Sequence, residues 1–303
     1  VSAAAFDAYR RAAPSLESLF DQIERASRAE APMLILGAPG TGRSSVARAV
    51  HQASGRAAGA LVEVDIAAIP SALFESEFFG FRAGAFTGAG SASPGRVAGA
   101  EKGSLVLDHI EELPLSSQPK LLRLLAERRY TPLSGRERRA DVRFIAVGAQ
   151  DLAERVAAGA FRPDLFYRLE VLTFTLPALA ARARDLPALF EFFLADLGAR
   201  SGRPHLRLTE RAMRWMLDYA WPGNLRQVRN TIERAMIQQP QATVLDPPVP
   251  RDLAGRPRSL AEMESEQIAA ALAYTGGHQG NAAQVLGISR KTLWEKRKKY
   301  DIP

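Results

Sequence analysis

The chain has 303 residues, 47% hydrophobic and 24% charged, a globular balance with room for two or three domains of roughly 100–200 residues. The absence of cysteine excludes disulfides and thiolate metal sites, and the four histidines (His51, His109, His205, His278) share no ligand spacing. A formal net charge of +7 favours a polyanionic partner, while no run approaches the ~18 apolar residues of a membrane span and no signal-peptide pattern opens the chain, so a cytoplasmic protein with no membrane contact is expected.

In chain order, five apolar runs predict buried strands: MLILG from Met33, LVEVDI from Leu61, SLVLD from Ser104, VRFIAV from Val142 and VLTFTL from Val171. Helix-period stretches such as SVARAVHQA and QPKLLRLLAE lie between them, so residues 1–175 predict an α/β unit, a five-stranded parallel sheet flanked by helices. Residues 176–238 carry no strand-like run and predict an all-α unit, with Thr209 as a helix cap. Pro240, Pro247, Pro248, Pro250 and Pro257 mark 239–258 as a linker, and 259–303 is again helical and strongly basic.

The stretch GAPGTGRSS (37–45) follows the first strand and opens a helix. Gly37, Gly40 and Gly42 let successive backbone N–H groups face a phosphate, as in the P-loop pattern G-x-x-x-x-G-K-[ST]. Gly37, Gly42 and Ser44 fit that pattern, but Arg43 stands in the lysine position and offers a planar fork in place of a point charge. Asp108, at the end of its apolar strand, is the natural Mg²⁺ partner with Ser44.

Residues 75–113, ESEFFGFRAGAFTGAGSASPGRVAGAEKGSLVLDHIEEL, resemble the bacterial enhancer-binding proteins, the sigma-54-dependent transcription activators of the AAA+ superfamily. FRPDLFYRLEVL (161–172) and WPGNLRQVRNTIERA (221–235) resemble two further blocks of that family, and NAAQVLGISRKTLWEKRKKYDI (281–302) its Fis-type helix-turn-helix. The resemblance implies an AAA+ P-loop core, an all-α lid and an all-α DNA-binding domain. It implies ATP and Mg²⁺ as ligands, with Gly37, Gly40, Thr41, Gly42, Arg43, Ser44 and Ser45 around the nucleotide and Arg226 sensing it from the lid. Gly84, Ala85, Phe86, Thr87, Gly88 and Ala89 match the loop that touches the sigma factor. Arg162 and Arg168 match positions that reach a neighbouring subunit's γ-phosphate. DNA, sigma-54 RNA polymerase and further copies of the chain, from a dimer to a hexameric ring or a mixed ring with a related activator, are the implied partners. The family commonly carries a signal-receiving domain, for which the 36 residues ahead of Gly37 are too few, so the expectation is either control by another protein or a domain removed from this chain.

Several positions depart from the family around the reacting phosphate. Besides Arg43, His109 replaces the glutamate that directs the attacking water, Gly148 and Ala149 replace a Thr-Asn pair, and Asp65 replaces an asparagine. A general base contributes roughly 10²–10⁴-fold, so binding of ATP with weak or lost hydrolysis is expected. An alternative stays open in which Asp65 orients His109 as a replacement base; Glu111 and Glu112 are expected to point elsewhere. A third outcome is a DNA-binding, repressor-like module with a structural core.

At the C-terminal end, Gly287 predicts the turn and Ser289 the cap of a recognition helix. Ser289, Arg290, Lys291 and Thr292 are the expected base contacts, and Lys296, Arg297, Lys298 and Lys299 the phosphate contacts. Ile288, Thr292, Leu293 and Trp294 are expected to pack this helix on its partners. Leu260, Met263, Ile268 and Leu272 are expected along a dimer seam.

Overall fold

The computed structural model describes residues 3–86, 90–250 and 260–300. They form two compact units, 1–248 and 249–303. In the first unit, helices α1 (Ala3–Ala12) and α2 (Glu17–Ser27) precede strand β1 (Met33–Gly37), helix α3 (Arg43–Gln52), strand β2 (Leu61–Asp65), helices α4 (Ser71–Phe79) and α5 (Gly95–Gly99), and strand β3 (Ser104–Asp108). Helix α6 (Gln118–Glu127), the short pair β4 (Arg129–Tyr130) and β5 (Arg138–Arg139), strand β6 (Arg143–Gly148), helices α7 (Leu152–Ala157) and α8 (Pro163–Leu169), and strand β7 (Leu172–Leu176) complete the α/β part.

The five expected strands form one parallel sheet in the order β2-β3-β6-β1-β7. Fully buried strands need apolar side chains on both faces, and Leu34, Ile35, Leu105, Leu107, Ile145 and Ala146 are all closed to solvent. The register sets Met33 against both Ile145 and Leu172, and Asp65 against Asp108. The ends of β1, β2, β3 and β6 therefore place residues 37, 65, 108 and 148 along one edge of the sheet, where ligands bind in open α/β folds.

On α3, the buried His51 sets its Nδ1 2.9 Å from Ser104 Oγ. Burial first, and Arg143 second, hold this imidazole below the ordinary histidine range. The unfolded chain then binds the proton more readily, so stability is full at high pH and falls as pH drops below about 6.5. Urea unfolding at about pH 7.5 and about pH 5.5 is expected to show this loss, reduced in His51→Asn.

Beyond the sheet lie a 3-10 turn (Leu179–Asp185), helix α9 (Leu186–Arg200), strand β8 (Arg207–Leu208), helices α10 (Glu210–Asp218) and α11 (Asn224–Gln238), and strand β9 (Val244–Leu245). Thr209 caps α10, its hydroxyl accepting from Ala212 N–H at 3.1 Å. The lid is not wholly helical, because β8 pairs in parallel with β9, two residues against two. Pairing this short leaves no alternation in the sequence. The segment expected as linker, 239–258, is also partly built into this unit. The Arg203 guanidinium donates to the carbonyls of Met236 (3.2 Å), Gln239 (3.0 Å) and Ala242, and the Gln239 amide exchanges two 3.0 Å bonds with the Asp246 backbone.

The second unit holds α12 (Leu260–Tyr274), α13 (Gln279–Val285) and α14 (Arg290–Lys299). Ile268, Leu272, Ala282, Ala283 and Leu293 form its core. Ile268 and Leu272, expected on a dimer seam, are thus spent inside the domain, because three short helices have few other apolar residues to bury. The side chains of Leu260 and Met263 lie outside the described residues.

Candidate functional site

A cavity of about 320 Å³ opens over the P-loop. Gly40, Gly42, Arg43, Ser44 and Ser45 line it from the loop and α3, Asp108 and His109 from the end of β3, and Arg226, Arg229 and Asn230 from α11. Gly42 has a φ of +102°, which side chains rarely adopt, and a Cβ on Gly40 would lie 2.4 Å from the Gly223 carbonyl oxygen of the lid. Gly37 and Thr41 shape the loop without lining the cavity; Thr41 Oγ1 donates to the Ala38 carbonyl at 2.8 Å.

The lid is stitched to this loop. Asn224, buried with a φ of +52°, donates its amide to the Pro39 carbonyl at 3.0 Å and accepts from Leu179 N–H at 2.7 Å. Arg226 N–H donates to the Gly40 carbonyl at 3.3 Å. The sequence reading missed Asn224, although the Pro-Gly-Asn run before a helix is a turn signal. It also missed Phe6, Tyr9 and Phe192 on the far wall, which lie on α1 and α9, remote in sequence from the loop.

Arg43 is buried, and its Nη1 donates to the carbonyls of Gly37 (2.8 Å) and Gly148. One guanidinium thus spans the ends of β1 and β6. Both bonds use Nη1, and the side chain lines the cavity. The open edge of the fork suits a phosphate.

Ser44 Oγ donates to Asp108 Oδ2 at 2.7 Å. These are two hard oxygen donors side by side, the set that Mg²⁺ takes from protein when phosphates and water complete its shell. Among the described residues no group of three His, Cys, Asp or Glu side chains could hold a metal by itself. The donors fit a magnesium ion carried by phosphates.

Residue 109 has a φ of +54°, and its imidazole Nδ1 lies 2.8 Å from Asp65 Oδ1. The parallel register that sets Asp65 beside Asp108 makes this contact possible. An ionised carboxylate only accepts, so Nδ1 carries the hydrogen, and in the neutral ring Nε2 holds the lone pair. The other nearby carboxylates are engaged. Glu111 Oε2 accepts from Ala149 N–H at 3.1 Å, and Glu112 pairs with Arg155 at 3.2 Å. Neither lines the cavity.

In the second unit, Ser289 caps α14, accepting from Thr292 N–H at 3.1 Å, and Gly287 takes the left-handed turn at φ +68°. Arg290 and Lys291, expected at the bases, and Lys298 and Lys299, expected at phosphates, are all exposed. Two expectations change. Lys296 is bridged to Glu264, which also accepts from the Tyr300 hydroxyl at 2.7 Å, so this cation is held inside the domain. Trp294, expected to pack inward, is 57% exposed, with Lys298 Nζ 5.6 Å above its ring. Leu293 fills the core position, and Ile288, partly buried, packs against that core as expected.

Residues 10–175 match the sigma-54 interaction domain, residues 180–266 the AAA+ ATPase lid domain and residues 259–300 the Fis family of bacterial regulatory proteins. The chain belongs to the sigma-54 interaction domain family. It is 40% identical over 298 residues to the alginate biosynthesis transcriptional regulatory protein AlgB of Pseudomonas syringae pv. tomato, a match covering 95% of this chain and 66% of AlgB. It is 39% identical over 295 residues to the transcriptional regulatory protein ZraR of Klebsiella oxytoca, covering 93% and 67%. The chain therefore spans about two thirds of these relatives, slightly less for AlgB. The crystal structure of NtrX from Brucella abortus matches with a TM-score of 0.71 at 33% identity, covering 95% of this chain and 68% of NtrX. NtrX in complex with ATP matches with a TM-score of 0.69.

Within this sigma-54 interaction domain, Phe81 and Ser93, on either side of 84–89 in sequence, form an antiparallel bridge. Phe86 is 45% exposed, with its ring 5.0 Å from that of Phe81, while Thr87, Gly88 and Ala89 lie outside the described residues. Arg162 is exposed and forked onto Asp164 of its own helix at 2.7 and 3.0 Å. Arg168 is exposed, with one 3.4 Å bond to the Leu125 carbonyl. Neither arginine lines the cavity of its own chain.

Proposed function

We propose that this chain is a cytoplasmic sigma-54-dependent transcriptional regulator that binds ATP with Mg²⁺ at the P-loop cavity and hydrolyses it slowly. The cradle, the Ser44–Asp108 pair and the Arg43 fork support nucleotide binding. The relationship to NtrX, which has been solved with ATP and with ADP, supports it further. The single observation that carries slow hydrolysis is the arrangement after Asp108. The next side chain is an imidazole bonded to Asp65 at 2.8 Å, and the following carboxylates face other partners. Loss of a positioned base lowers phosphoryl transfer while leaving binding largely in place.

DNA is the partner of the basic α14 surface, and the 84–89 loop is the contact to the sigma factor, with Phe86 the apolar group offered. Arg162 and Arg168, which do not line the cavity of their own chain, serve a neighbouring copy in a homo-oligomeric or mixed ring. Titration calorimetry with Mg·ATP, together with phosphate release, tests the proposal. Micromolar-range binding with turnover far below about 1 s⁻¹ is expected, and Asp108→Ala is expected to weaken the binding at least tenfold through loss of the Mg²⁺ oxygen. Turnover at ordinary enzyme rates sinks the slow-hydrolysis reading.

The 2.8 Å Asp65–His109 bond favours one second reading, in which the oriented imidazole takes the water proton and supports the turnover that exists. His109→Ala then lowers the measured rate by at least tenfold. An unchanged rate removes the pair from consideration.

A further inference from the structure

The wall of the cavity opposite the P-loop is aromatic and comes partly from the first helix. Tyr9 of α1 packs among Phe6 (ring centroids 6.2 Å apart), Phe20 (5.8 Å) and Phe192 (6.1 Å). Tyr9 is only 6% exposed, yet it lines the cavity, and its hydroxyl oxygen stands 3.7 Å from where a Cβ on Gly42 would sit. The phenol therefore closes over the phosphate loop from above.

Its hydrogen bonding is half complete. Arg182 Nη1 donates to the Tyr9 oxygen at 3.3 Å, which leaves the phenol's own hydrogen to point elsewhere. No acceptor for it is found among the described residues. Burial raises the phenol's pKa above its ordinary value, so the hydrogen is present at neutral pH. A buried O–H without an acceptor costs free energy, and such groups are normally completed by a ligand or water. Arg182 is itself 3% exposed and lies 4.0 Å from Asp185, whose oxygens take the Ser15 backbone N–H at 3.1 Å and the Ser15 hydroxyl. Its Nε and Nη2 have no partner among the described residues, so this guanidinium is fixed chiefly by Tyr9 and Asp185.

We propose that Tyr9 is a nucleotide-contacting residue: its hydroxyl, oriented by the buried Arg182, donates a hydrogen bond to an acceptor atom on the nucleoside half of the bound ATP. The inference rests on the nucleotide reading of the cavity. With phosphates on the loop, on Arg43 and beside Ser44 and Asp108, the nucleoside is the part left to meet Tyr9, Phe6, Phe192 and Leu225. A flat base suits such an apolar wall with one convergent polar group. Arg182 is a positioning residue: it occupies one lone pair of the phenol and so directs the hydrogen into the cavity. Because Tyr9 belongs to the N-terminal helix and Arg182 to the turn that opens the lid, nucleoside binding draws on both.

The test is titration calorimetry on the full chain with Mg·ATP and, separately, with inorganic tripolyphosphate. Tyr9→Phe keeps the ring packing and removes only the hydroxyl. It is expected to weaken ATP roughly tenfold and to leave tripolyphosphate unchanged. Arg182→Lys is expected to weaken ATP similarly, and the double variant to be no weaker than Tyr9→Phe alone, since both changes remove one interaction. A purely structural role for Arg182 predicts additive losses on both ligands, which overturns its positioning role. If Arg182→Lys fails to fold, Tyr9→Phe with the two ligands decides the phenol contact. ATP binding unchanged in Tyr9→Phe, or a parallel loss of tripolyphosphate, overturns the proposal. Parent chain that binds tripolyphosphate and ATP equally also overturns it while leaving the P-loop reading intact; binding of neither defeats both.

Discussion

The double variant Asp65→Asn/His109→Glu is expected to release phosphate from ATP roughly 10²–10⁴ times faster than the parent chain. The reasoning starts from the register that sets residues 65 and 108 side by side and from the 2.8 Å bond between Asp65 and His109. A glutamate at 109 supplies the missing carboxylate base next to Asp108. Alone, it would face the Asp65 carboxylate within hydrogen-bond distance, and like charges that close push one group to protonate. His109→Glu by itself is therefore expected to gain little. Asparagine at 65 removes the like charge and offers an amide that holds the new carboxylate in place. The effect is read as phosphate release under saturating Mg·ATP, with Asp108→Ala added as the control. A double variant no faster than its parent shows that the barrier lies elsewhere, with Arg43, Gly148 and Ala149 as the remaining departures.

The second large effect concerns the basic helix. Lys296→Ala is expected to leave the salt dependence of DNA binding nearly unchanged, whereas Lys298→Ala lowers the slope of log K against log salt by about 0.9. Both are lysines on α14, and composition alone treats them alike. Lys298 is exposed above Trp294, while Lys296 is bridged to Glu264, whose carboxyl its ammonium holds below the usual carboxylate range. A cation already neutralised by its own domain releases few counterions from DNA. Glu264→Gln frees it and is expected to steepen the slope by up to about 0.9. Fluorescence anisotropy of a labelled duplex across a salt series reads all three variants. Equal slopes for Lys296→Ala and Lys298→Ala would show that the bridge opens on DNA.

Much of the nucleotide site was legible because its residues lie in short contiguous runs. The spacing of Gly37, Gly42 and Ser44 is enforced by backbone geometry within one loop, and the apolar strand before Asp108 fixes where that acid emerges. The Asp65–His109 contact was legible as an option, since two parallel strands with acids at their ends bring neighbouring positions together. What Arg43 does was not legible. Its fork reaches the Gly148 carbonyl, 105 residues away in sequence, and only the assembled sheet sets that distance. The aromatic wall was hidden for the same reason, with Phe6 and Tyr9 on the first helix and Phe192 far along the chain.

The lid and the DNA-binding domain show the converse. Helix caps at Thr209 and Ser289 are local hydrogen bonds, so the sequence places them to the residue. The β8–β9 pair is two residues long on each side and joins segments separated by two helices, so no local pattern announces it. Ile268 and Leu272 carry an apolar spacing that serves a dimer seam or an internal core equally well. The choice falls to Ala282, Ala283 and Leu293, which stand against them. Sequence by itself determined the fold class, the family, the phosphate loop and the helix-turn-helix, because each is written in periodicity or in a run of adjacent residues. Tertiary structure alone decided which charges are free and which are already paired, and which apolar faces remain open, because those outcomes depend on side chains that meet only after the chain has folded.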